Sequence, residues 1–173
     1  MNYWRMLTQP LLKIFIATPK RQVVPREMKD KMIFITVREN TIWGIKEEWI
    51  ERKEKIRITD IEKTIIDCLT FPQHCGGITE IAMGIWIVKE KIDQKKLLSY
   101  VKKQNKNVVA KRLGYLLEIL NIGDSNIYFE LKKYIKDRYD FLDPTLSFKR
   151  VNKNNWRLID NVGQKQIKDI VRF

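Results

Sequence analysis

The chain is poor in the residues from which most catalytic and metal centres are built. It has one histidine, His74, and two cysteines, Cys68 and Cys75. Two thiols make no disulfide framework and fit a reducing compartment. A structural zinc site takes four ligands in short paired spacings, which Cys68, His74 and Cys75 do not supply. With a single histidine, Ser-His-Asp chemistry would have to centre on His74, and sequence neighbours such as His74 and Cys75 seldom point at each other. Glycine is scarce, at seven residues. The chain carries no Walker loop, no Gly-x-Gly-x-x-Gly and no Gly-x-Ser-x-Gly. No catalytic residue, metal ligand or cofactor is therefore assigned, and the expectation is a protein that is not an enzyme. Long apolar runs are missing too. The best, Leu11 to Ala17, is interrupted by Lys13, far short of the roughly 20 residues that span a bilayer. The opening Met1-Asn2-Tyr3-Trp4-Arg5 has no signal-peptide layout. A cytoplasmic protein with no membrane partner is expected.

What is present is charge of one sign. The 173 residues are 44% hydrophobic and 32% charged, with a net charge of +13, a globular composition for one domain or one domain and a small subdomain. The excess is not a tail. Residues 1–55 carry 12 basic and 7 acidic side chains, residues 56–123 carry 11 and 7, and residues 124–173 carry 11 and 7. A body basic throughout attracts nucleic acid or an acidic partner at low salt, and such a lysine-rich surface also serves solubility.

Periodicity divides the chain. Residues 1–58 read as a β-rich subdomain of antiparallel strands. Leu11 to Ala17 and Met32 to Val37 are two apolar runs, with Pro25 in the connector. Ile42, Trp43, Ile45, Trp49 and Ile50 form a third segment, and Ile56 and Ile58 alternate with Lys55 and Arg57. From residue 59 the period becomes helical. Thr59-Asp60-Ile61-Glu62 has the form of a capping box before Ile61, Thr64, Ile65, Cys68 and Leu69. Phe71-Pro72 ends that helix, and Gly76-Gly77 opens a second. Further helices are predicted over about 94–104, 107–120 and 126–139. Trp156 to Ile159 reads as a last strand, and Lys165 to Phe173 as a short helix or a frayed end. The expectation is an α+β fold: antiparallel strands, then a bundle of about five helices over 59–173 with a short C-terminal strand.

One stretch stands out for binding. Lys95, Lys96, Lys102, Lys103, Lys106, Lys111 and Arg112 lie between Asp93 and Glu118 with no acidic residue among them. They cover the third predicted helix, its connector and the start of the fourth. Two helices and their junction can present a continuous basic face to phosphates, and the same run also fits a solvated outer face. Lys149, Arg150, Lys153 and Arg157 form a second cluster. The five tryptophans are read as packing residues rather than base-stacking platforms. Asp30 with Glu51-Arg52-Lys53 has the form of a metal-dependent nuclease motif, one that a chain rich in Lys and Glu also produces by chance.

Three stretches together resemble the C-terminal region of AbiEi-type antitoxins, of the type IV toxin–antitoxin systems. The first is Ile58-Thr59-Asp60-Ile61-Glu62-Lys63-Thr64-Ile65-Ile66-Asp67-Cys68-Leu69, followed by Pro72 and Cys75-Gly76-Gly77-Ile78. Ile61 stands where the family pattern has a helix-start proline. The second is Ala110-Lys111-Arg112-Leu113-Gly114-Tyr115-Leu116-Leu117-Glu118. The third is Leu142-Asp143-Pro144 with Trp156-Arg157-Leu158-Ile159 and Asn161-Val162. The likeness runs from about residue 3 to 162. It implies an antitoxin that counters a nucleotidyltransferase-type toxin without a stable complex. The winged helix-turn-helix with which family members begin has no counterpart in these residues, so direct operator repression is not expected of them. The alternatives carried forward are a DNA-binding regulator of its own operon and, behind it, a metal-dependent nuclease.

Overall fold

The computed structural model describes residues 1–8, 13–51, 53–147 and 152–171. The mixed α+β expectation holds: strands come first, then helices, then short strands. The N-terminal strands form two separate pairs. In the first, β1 (Ile14–Thr18) lies beside β2 (Met32–Thr36), with Ile14 opposite Met32 and Thr18 opposite Thr36. This pair is parallel, not antiparallel as expected. A parallel pair needs a crossover rather than a tight turn, and residues 19–31, with a single 3-10 turn at Arg26–Met28, provide one. The second pair is an antiparallel hairpin of β3 (Ile45–Ile50) and β4 (Glu54–Thr59).

The helices begin at once. Helix α1 (Ile61–Thr70) is capped by Asp60, whose Oδ1 accepts from the Lys63 amide at 2.8 Å. The cap is therefore one residue later than the capping-box reading placed it. Glu62, expected to close that box, instead accepts from the Asp93 amide at 3.0 Å. Helix α2 (Gly77–Val88) is capped by Gly76 and opens on Gly77, both with positive φ, 79° and 84°, where a side chain would be strained. Helix α3 (Gln94–Gln104) is capped by Asp93 and ends at Asn105, which is also left-handed. Helix α4 (Asn107–Ile119) follows after two residues.

Helix α5 (Ser125–Lys132) is shorter than the predicted 126–139. The segment beyond it gives its carbonyls to α4: Asn107 Nδ2 donates to Tyr134 O, and Lys111 Nζ donates to Arg138 O. Those acceptors are then unavailable to a continuing helix. The C-terminal part is a small sheet in which β7 (Leu158–Asp160) lies between β5 (Asp140–Phe141) and β6 (Asn152–Lys153), three short strands where one was expected. Helix α6 (Gln164–Ile170) closes the described chain. Among the described residues, no helix is long and apolar enough to cross a membrane.

The core belongs to the helices. Leu113, Leu116 and Leu117 of α4, Ile65, Ile66 and Leu69 of α1, and Ile78, Ile81 and Ile85 of α2 are all fully buried, each worth about 1.5–3 kcal/mol relative to exposure. Met6 from the N-terminal stretch joins them. By contrast, none of the described residues from 13 to 59 is buried. Trp49, Ile50 and Ile14 of these strands are exposed, so the strand pairs have no buried core of their own.

The three stretches that carried the family resemblance interlock here. Arg112 Nη1 of the second donates to Leu69 O of the first at 2.8 Å. Asp143 of the third accepts from the Ile78 amide at 2.8 Å. Tyr115 donates to Asp160 Oδ2 at 2.5 Å; burial, and then this bond, hold its phenol well above the ordinary tyrosine range. Gly114 lies flat against Trp156: a Cβ there would sit 2.0 Å from the indole. The glycine of the Arg-Leu-Gly-Tyr-Leu stretch is thus explained by the tryptophan of the closing segment.

Candidate nucleic-acid interface

The basic strip splits into two populations. Lys95, Lys102 and Lys103 are exposed on α3, and Lys106 is exposed at the α3–α4 junction. Lys111 and Arg112 are not at the surface: they are 0% and 5% exposed. Lys111 pairs with Asp140 at 2.8 Å. Arg112 bonds Leu69 O, and its Nη2 donates to Phe141 O at 3.0 Å. Burial holds the Arg112 guanidinium below its ordinary range, against the opposing pull of Asp143 and Asp140. The expectation that these two meet phosphates is therefore replaced by a packing role: they tie α4 to α1 and to the C-terminal sheet. Lys149 and Arg150 lie outside the described residues. Of their cluster, Lys153 and Arg157 both lie over the Tyr139 ring, at 4.9 and 5.4 Å.

Lys96 is also committed to the fold. Its Nζ lies 3.0 Å from both Asp60 Oδ2 and Glu62 Oε2. Partial burial disfavours its charge, but the bonds to the two carboxylates outweigh this, and the ammonium is held above its usual range. Tyr100 donates to the same Asp60 oxygen at 2.9 Å. The acidic residues of the first resemblance stretch thus neutralise Lys96 and bind α1 to α3.

Lys106 behaves in the opposite way. It sits over the Phe71 ring at 5.2 Å. Partial burial holds its ammonium below the ordinary lysine range; Asp67 opposes this, and the charges of Lys63 and Arg38 add to it. Lys63, itself buried, pairs with Asp67 and lies over Trp43 at 4.4 Å. Lys103 approaches the same indole at 4.9 Å. Tyr100 meets it edge-on at 4.6 Å between ring centres. The fold therefore sets Lys103 over Trp43 and Lys106 over Phe71, with the charge of Arg38 near Lys106, so that this side of the molecule has a surplus of cations. Aromatic rings under ammonium groups hold them in position, and the arrangement suits a polyanion.

Arg38, Trp43, Lys63 and Phe71 were not singled out by the charge pattern. Arg38 and Trp43 come from the β-rich part, and no local spacing links them to α3. Elsewhere, Asp30 is exposed before β2 and Glu51 is exposed at the turn of the β3–β4 hairpin. Among the described residues, no group of three His, Cys, Asp or Glu side chains is placed to hold a metal ion. His74 packs beside Phe15, with ring centres 5.1 Å apart. Comparisons with protein-family models, curated proteins and solved structures give no match to this chain.

Proposed function

We propose that this chain is the effector body of an AbiEi-type antitoxin, which counters a nucleotidyltransferase-type toxin without catalysis by binding the nucleic acid the toxin acts on. The observation that carries the binding part is that Lys103 and Lys106 are exposed over Trp43 and Phe71 with Arg38 near Lys106, while Asp67 is taken up by Lys63. Exposed ammonium groups that no carboxylate neutralises attract phosphate. The interlocking of the three resemblance stretches supports the family part. Residues far apart in sequence are explained by one another, as expected if they are a single inherited framework.

The alternative of a DNA-binding regulator of its own operon has less support. A recognition helix needs a free face to enter the major groove; α4 is buried continuously from Val109 to Leu117, so of the two helices that bear the basic strip only α3 keeps an exposed face. The nuclease alternative has only the exposed Asp30 and Glu51 to stand on.

The test is co-expression. A nucleotidyltransferase-fold toxin from the same operon is expressed alone, then with this chain. The expected result is restored growth, reduced by charge reversal at Lys103 and Lys106. Unrestored growth with both proteins soluble would refute the antitoxin reading.

A further inference from the structure

An open cleft of about 320 Å³ lies where the start of α4 meets the segment before β5. It is lined by Lys106, Asn107, Val108, Lys136, Arg138 and Asp140. Three of these six carry positive charge. The one carboxylate, Asp140, is already engaged from within by Lys111 at 2.8 Å. Its remaining contact, with Arg138, is loose at 3.6 Å on a side chain 85% exposed. Lys136 makes no ion pair among the described residues. The cleft floor is held in place by the two bonds that unwind the segment after α5, Asn107 to Tyr134 O and Lys111 to Arg138 O. Lys106 belongs both to this cleft and to the basic-aromatic face.

We infer that this cleft receives the phosphate monoester of a nucleotide, either free or as the terminus of a strand lying on the adjoining face. The inference rests on the nucleic-acid reading above and deepens it. A cleft of this volume falls at the small end of ligand sites. Three cationic residues line it against one carboxylate, which Lys111 already pairs. That surplus matches the charge of about −1.5 to −2 that a monoester carries at pH 7 better than the single charge of an internal diester. Arginine supplies a fork for two phosphate oxygens, and the lysines supply point charges.

The test is calorimetric titration of the full chain with a short oligouridylate bearing a 5′-phosphate, a 3′-phosphate or only hydroxyl ends, and with uridine monophosphate. Lys136→Gln, Arg138→Gln and the double variant are compared; both side chains are exposed, and thermal melts check that the fold is kept. A terminal phosphate at one end should tighten binding by about tenfold. That preference should vanish in the double variant and fade toward pH 5, where the monoester loses its second charge. Uridine monophosphate binding as tightly as the strand end assigns the cleft to a free nucleotide; weak monophosphate binding beside a strong end preference assigns it to a strand terminus. Equal binding of phosphate-ended and hydroxyl-ended strands, or a preference that survives the double variant, overturns the inference. Hydroxyl-ended strands that bind and are released by Lys103→Glu would leave the nucleic-acid reading standing without the cleft. A terminal-phosphate preference in a chain that fails to restore growth would keep the cleft and remove the antitoxin reading.

Discussion

Lys102 and Lys103 at the end of α3 and Lys111 and Arg112 in α4 belong to one run without acidic residues, yet they have opposite fates. The first two are exposed and one of them rests on an indole; the second two are buried and fully engaged. The difference lies in what faces each helix. Helix α3 turns Leu97 and Val101 inward and leaves its lysines outside. Helix α4 is enclosed by α1, α5 and α6, so its cations needed acceptors, found at Asp140, Leu69 O and Phe141 O. A run of like charge marks a surface only where the helix beneath it has a free side.

The sharpest way to break this comparison is to add one methyl group to α4. Gly114→Ala would place a carbon 2.0 Å from Trp156 and should destabilise the fold by about 3 kcal/mol or more, read as the urea midpoint. A cost below about 1 kcal/mol would mean that α4 is not packed as described. Next comes Lys111→Ala, which leaves the partly buried Asp140 carboxylate with only its loose contact to Arg138 and should cost about 3 kcal/mol in the same assay. Lys102→Ala and Lys103→Ala should fall within about 0.5 kcal/mol of the parent. A large loss there would place them in the fold rather than on its surface.

The smallest effect concerns the two thiols. Hydrogen bonding to Cys75, then burial, push the Cys68 thiol up, whereas the same bond lowers Cys75 despite its own burial. Cys68 is also buried, and Cys75 is partly exposed. Iodoacetamide should therefore label Cys75 first, at a pH below the ordinary thiol range, with mass spectrometry of the digest as readout. Equal labelling would contradict the packing of α1 against the start of α2.

Much of the helical architecture was legible. Leu97 and Val101 fix the face of α3, and the Asp93 cap with Asn105 at the far end fixes its limits. Helix α4 was equally plain from Val109, Leu113, Leu116 and Leu117. Other features depended on contacts distant in the chain. The parallel pairing of β1 with β2 was hidden because an apolar run does not reveal which direction its partner takes. Helix α5 stops early because Asn107 and Lys111 claim carbonyls that lie 27 residues away. At the candidate interface, charge spacing found Lys103 and Lys106. Trp43 and Phe71 lie under them only because the strand segment and the end of α1 fold back to meet α3. Trp43 was expected to pack, and it does so against Tyr100 while also holding two ammonium groups.

The central claim is that the exposed cations, and not the buried ones, bind nucleic acid. It is tested most directly by measuring RNA affinity against salt for the parent and for Lys103→Glu with Lys106→Glu. Each phosphate contact removed should lower the log–log slope by about 0.7–0.9, so the double variant should lose roughly 1.5 in slope and bind much more weakly while melting at the same temperature. An unchanged slope and affinity in a folded double variant would contradict the account.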